Sequence, residues 1–111
     1  MKIYLLQNTG TRGYDTFSSC VVFAESKAEA RRTHPVKEFF WDEKEKRFFR
    51  EAEVRAWDLT VFPPKEYTEM KRFPDVSNWW PDKLSDIKVT ELGEAKQGSY
   101  AGVISANFNA G

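Results

Sequence analysis

The sequence predicts an α+β fold: a small, mostly antiparallel sheet with one or two short helices and an aromatic-rich inserted segment, all within a single domain of residues 1–111. Three observations lead there. Alternating apolar and polar residues mark strands near both ends, and a Ser-x-x-Glu pattern opens a helix behind the second strand. The stretch over residues 36–80 then changes character: it holds eleven of the seventeen aromatic residues, interleaved with a dense charge run. At 111 residues the chain is one domain by size and long enough to bury its own core.

Residues 2–7 read as the first strand, Ile3 and Leu5 on one face, Tyr4 and Leu6 on the other. A polar loop with Gly10 and Gly13 follows, and residues 19–25 read as a second strand, apolar on both faces and therefore central. The loop length allows a wide hairpin between the two. Ser26 can cap the free amides of a first helical turn while Glu29 reaches back, so a helix is expected over residues 27–33. Pro35 stops it, because proline removes a donor and disfavours helical geometry at His34.

Residues 36–80 form the insertion. Phe39-Phe40-Trp41 and Phe48-Phe49 flank the charged residues 42–47, which suits a hairpin with a charged turn. One amphipathic helix is the competing reading, since Trp41, Phe48 and Ala52 recur near a period of 3.6; we favour the hairpin. Residues 55–62 alternate, with Trp57, Leu59 and Val61 opposed to Asp58 and Thr60, and read as a strand ended by Pro63-Pro64. Pro64 also suits the first turn of a short helix over residues 65–72, closed by Pro74. Strands over residues 87–92 and 101–108 complete the chain, joined through residues 97–99.

Seventeen basic residues balance seventeen acidic ones, which argues against bulk nucleic-acid binding, an affinity that rests on excess lysine and arginine. A single cysteine, Cys20, rules out an internal disulfide framework and fits a reducing compartment. The N-terminal apolar run is too short for a signal peptide, and no stretch approaches the length of a membrane span, so a cytoplasmic protein with no membrane partner is expected.

Catalytic and metal chemistry find little to work with. Cys20 sits in an apolar central strand and reads as a buried, inert thiol. His34 is the one histidine, and a helix-end histidine commonly caps carbonyls. There is no Cys-x-x-Cys, no histidine pair and no calcium-loop spacing. The expectation is a non-enzyme without catalytic residues, metal or cofactor; a small hydrolase using His34 and Asp15 is the minority reading.

Binding readings are stronger. Asn8, Thr11, Arg12, Tyr14, Asp15 and Thr16 put amide, hydroxyl, guanidinium, phenol and carboxylate groups beside glycines that let a backbone approach a ligand. Arg31 and Arg32 offer forked phosphate clamps, His34 a further contact, Trp80 a ring to stack on a base, and Asn107 with Asn109 polar contacts from the last strand. Together these twelve residues are the expected site for a small nucleotide-like ligand. Gly10-Thr11-Arg12-Gly13 matches no phosphate-loop fingerprint, and Asp15 with Thr16 has the plainer reading of fixing a turn. In the insertion, adjacent rings on strands must point to opposite faces, so some face away from the core. They should cover a second layer, a binding cleft or a subunit interface, with a homodimer among the outcomes.

Gly13-Tyr14-Asp15-Thr16-Phe17-Ser18, then Glu29-Ala30-Arg31-Arg32-Thr33-His34-Pro35, and at the other end Val89-Thr90-Glu91-Leu92-Gly93 and Phe108-Asn109-Ala110-Gly111, resemble small proteins encoded by phages and prophages. The resemblance covers roughly residues 1–35 and 86–111, and the insertion lies outside it. It implies no enzyme activity. It implies a phage accessory protein in the host bacterial cytoplasm that counters host defence, by sequestering a nucleotide-like signal or by blocking a host defence protein. The second route would use the aromatic insertion as a docking surface, with Trp79 and Trp80 as its anchors.

Overall fold

The computed structural model describes residues 1–10, 15–96 and 101–109, with Asn109 described for its backbone alone. In chain order the elements are β1 (Lys2–Asn8), β2 (Thr16–Ala24), α1 (Lys27–Arg31), β3 (Phe39–Asp42), β4 (Arg47–Asp58), β5 (Lys65–Pro74), a 3-10 turn (Leu84–Asp86), β6 (Ile87–Glu94) and β7 (Gly102–Asn109). They build two antiparallel sheets, a four-stranded one in the order β6-β1-β2-β7 and a three-stranded one in the order β3-β4-β5. The α+β expectation is therefore corrected: among the described residues one α-helix of five residues accompanies two sheets, and the fold is mostly β.

The main sheet follows from alternation. Register pairs Leu6 with Cys20 and Tyr4 with Val22, so these four share a face. With Ala24 and Ile87 they are almost fully buried, against Ala30 of α1 and against Phe48 and Trp80 from the insertion. As its two apolar faces require, β2 is central, between β1 and β7.

Ser26 starts α1 as expected. Its Oγ accepts the Glu29 N–H at 3.2 Å, while the Glu29 carboxylate reaches back to the Glu25 N–H at 3.3 Å. That is a capping box displaced by one residue, and the helix ends earlier than the expected 27–33 because Thr33 already bonds in a tighter turn, its N–H to the Ala30 carbonyl.

The rings flanking residues 42–47 do form a hairpin. Phe40 pairs with Phe49 and Trp41 with Phe48, and the turn closes on Asp42, whose carboxylate accepts the Glu45 N–H and whose carbonyl accepts the Lys46 N–H. The helix expected over 65–72 is corrected to strand β5. Its Lys, Glu and Met residues are good helix formers, but the alternative offers a partner: β4 pairs with it residue for residue from Phe49↔Pro74 to Asp58↔Lys65. Likewise the strand expected over 55–62 is the distal half of β4 and stops at Asp58, with residues 59–62 forming the connecting tip.

β3 pairs only with Arg47–Arg50 of β4, so beyond Arg50 the β4–β5 ribbon continues two-stranded for eight residue pairs, roughly 27 Å at the usual rise. The molecule is elongated accordingly. Its radius of gyration is 17.6 Å and its longest axis 60 Å, where a compact domain of this length would have a radius of about 13 Å. No helix among the described residues is long and apolar enough to cross a membrane.

Candidate functional site

Two constructions stand out: a buried tie at the root of the insertion, and the arm that leaves it. The tie is built on His34 and Asp75. The His34 Nδ1 accepts the Val36 N–H at 2.9 Å, so that nitrogen carries a lone pair, and Nε2 donates its proton to Asp75 Oδ2 at 2.9 Å. The other Asp75 oxygen accepts the Ser77 N–H at 2.9 Å and the Ser77 hydroxyl, while the Asp75 N–H donates to the Phe48 carbonyl. The imidazole lies on Phe39 at 4.5 Å between centroids and meets Phe48 edge-on at 5.1 Å. Burial alone would raise the Asp75 carboxyl; hydrogen bonds from His34 and Ser77 outweigh it and hold the group below the ordinary value.

This network joins the end of α1 to the end of β5. Both ring nitrogens of His34 are engaged within the fold, and its partner is Asp75, not the Asp15 of the hydrolase reading. Cys20 is buried, and burial pushes its thiol up to about 12, which keeps it protonated and unreactive. Among the described residues no group of three or more histidine, cysteine, aspartate or glutamate side chains has a metal-holding arrangement.

The arm is anchored by Arg72. Its guanidinium pairs with the Asp42 carboxylate and lies over the rings of Phe49 at 4.5 Å and Phe40 at 5.4 Å. The Glu45 N–H and then Arg72 hold the Asp42 carboxyl below its usual range. Further out the ribbon has no core. One face carries Glu51, Glu53, Arg55 and Trp57, with Arg55 paired to Glu66 at 3.3 Å. The other lays Lys71, Glu69 and Tyr67 across Ala52, Val54 and Ala56.

The tip is apolar. Asp58 starts it by accepting the Thr60 N–H at 2.9 Å, and the Phe62–Pro63 peptide is cis. Phe62 is 98% exposed, Leu59 78% and Trp57 58%, with Val61 also open to solvent. Apolar residues exposed this way at the end of a projection make the tip a candidate interaction surface. The alternation of Trp57, Leu59 and Val61 before Pro63-Pro64 was visible in the sequence; that no described residue covers them was not.

The expected ligand residues are scattered by comparison. Asn8 closes its own loop: Nδ2 donates to the Phe17 carbonyl and Oδ1 accepts the Gly10 N–H. Gly10 itself lies so close to Asp86 that an added Cβ would stand 2.8 Å from the carboxylate. Asp15 is exposed with a φ of 59°, and Thr16 is buried. Thr11, Arg12 and Tyr14 lie outside the described residues, as does the side chain of Asn109.

Register does bring the two polar segments to one end of the main sheet, since Thr16 pairs with Asn109 and β1 ends at Asn8; Asn107 is exposed nearby. Arg31 is half-buried, Arg32 pairs with Glu43 at 3.2 Å, and His34 is tied to Asp75. Trp80, expected to stack on a base, is 1% exposed and fills the core; Trp79 is its half-open neighbour.

Arg32 and His34 do border a groove of about 500 Å³ between the end of α1, β3 and β7, which Lys37, Phe40, Trp41 and Val103 also line. The sequence reading missed Lys37 and Trp41, which only the β3 register brings beside Arg32.

Comparison with protein-family models, with curated proteins and with solved structures finds no match. The geometry therefore carries the functional reading.

Proposed function

We propose that the protein is a binding module that docks on another protein through the tip of its β4–β5 arm. One observation carries this reading: Trp57, Leu59 and Phe62 stand exposed together at the end of a two-stranded ribbon. An isolated ribbon of this kind is marginal in water and gains little from its own side chains. Large apolar groups kept there are better explained by a partner's pocket than by stability, and buried aromatic anchors dominate interface energies. The anchors expected at Trp79 and Trp80 move to the tip. In the phage setting that the terminal motifs suggest, the partner would be a host defence protein.

The test is site-directed photo-crosslinking in the expressing cell, with a photoreactive phenylalanine at position 62. The reading predicts one dominant adduct that is absent when the probe stands at Lys27 and lost on Trp57→Ser with Leu59→Ser. Equal labelling at both positions would end it.

A second reading rests on the groove beside α1. Arg32 and Lys37 with the rings of Phe40 and Trp41 suit a small anionic ligand that carries a ring, such as a nucleotide. Calorimetric titration with adenosine monophosphate should show binding that Arg32→Ala with Lys37→Ala abolishes; no heat with the unaltered protein would dismiss it.

A further inference from the structure

A second cleft opens where the arm leaves the body. One side of it is a single cross-strand row: register sets Phe39 against Arg50 and Arg50 against Phe73, so the three side chains share a face across β3, β4 and β5. The segment that follows β5 supplies the rest of the wall with Val76 and Trp79, and the cleft holds about 500 Å³. That volume and a lining made mostly of apolar and aromatic groups are usual for a small-molecule site.

The polar groups of the cleft are of two kinds. Asp75 and Ser77 are engaged within the fold: Asp75 accepts from His34 and from Ser77, and the Ser77 hydroxyl also accepts the Trp79 N–H at 3.2 Å. Arg50 and Glu38 are not. Arg32, Arg55 and Arg72 each meet a carboxylate, whereas Arg50 forms no ion pair among the described residues, and neither does Glu38. They line one cleft with opposite charges and do not pair with each other. The Arg50 guanidinium lies over the Phe73 ring at 5.5 Å, which holds it in the row and leaves its N–H edges to bind a carboxylate.

Ring walls with an uncommitted cation and an uncommitted carboxylate are complementary to a zwitterion that carries a ring. We propose that this cleft binds an aromatic amino acid, its carboxylate on Arg50, its ammonium on Glu38 and its ring among Phe39, Phe73 and Trp79. The site is separate from the arm tip, and it shares only Phe39 with the groove beside α1. A ligand there touches β3, β4 and the segment after β5 at once, so it braces the root of the arm.

The test is titration of the isotope-labelled full chain with L-phenylalanine, read from backbone amide shifts. Saturable shifts should appear at Phe39, Arg50, Phe73 and Val76, and not at residues 57–62, Arg32 or Lys37. Phenylpropionate, which lacks the ammonium, and phenethylamine, which lacks the carboxylate, should each bind about tenfold more weakly, the worth of one charged hydrogen bond. Arg50→Gln should erase the preference for L-phenylalanine over phenethylamine, and Glu38→Gln the preference over phenylpropionate. Both positions are exposed, so the fold is spared. Replacing Trp57, Leu59 and Phe62 by serine should leave the affinity unchanged. Shifts that do not saturate, shifts centred on the tip or on the groove beside α1, or preferences that survive the two substitutions would each overturn the proposal.

Discussion

The body and the arm treat the same kinds of residue in opposite ways. In the body, Leu6, Val22, Phe48 and Trp80 vanish from solvent behind β1, β2 and α1. In the arm, Trp57, Leu59 and Phe62 are presented to it. Local composition does not separate the two, since each mixes rings with charges. The number of layers does. A strand with a second layer behind it can bury one face, whereas a ribbon two strands wide buries almost nothing. An apolar side chain on the body therefore reports on stability, and one on the arm, under the proposed docking role, on binding.

That contrast is broken most severely by attacking the body. Trp80→Ala should cost about 3–5 kcal/mol, the usual range for removing a buried ring, measured by urea denaturation. Asp75→Ala should follow at about 2–4 kcal/mol, because it strands the His34 Nε2 proton and both Ser77 donors inside the fold. Acid should act through the same group. The folded Asp75 carboxyl titrates below its unfolded value, so its stabilisation is present above an unfolded pKa of about 3.9 and is lost as pH falls through the lower folded value. Denaturation midpoints of the Asp75→Asn variant should accordingly fall less between pH 5 and pH 3, about that pKa, than those of the unaltered chain. The smallest effect belongs to the arm: Trp57→Ser, Leu59→Ser and Phe62→Ser combined should change stability by less than about 1 kcal/mol, as surface substitutions do.

Legibility in the sequence divides along the same line. Elements set by local pattern were readable: β1 and β2 by alternation, α1 by Ser26 and Glu29, the β3–β4 hairpin by the rings around residues 42–47. Residues 65–72 misled because helix propensity is local, while β5 owes its form to β4 across a turn at residues 59–64. Trp79 and Trp80 lie in a bend and not on a strand, so no alternation in the sequence says that Trp80 is buried and Trp79 half-open. His34 looked available because its partner lies 41 residues away, beyond any local pattern. The two polar segments reach one end of the main sheet because β2 lies between β1 and β7, a strand order that no local pattern reveals.

Amide hydrogen exchange followed residue by residue compares body and arm within one sample. If the arm is a two-stranded projection held only at its root, amides of residues 51–58 and 65–72 exchange through local opening costing no more than about 2 kcal/mol. Those at the centres of β1 and β2 open only with global unfolding. Arm amides protected as strongly as those of β1 and β2 in the isolated chain would contradict this account, because the tip residues would then belong to the cooperative core.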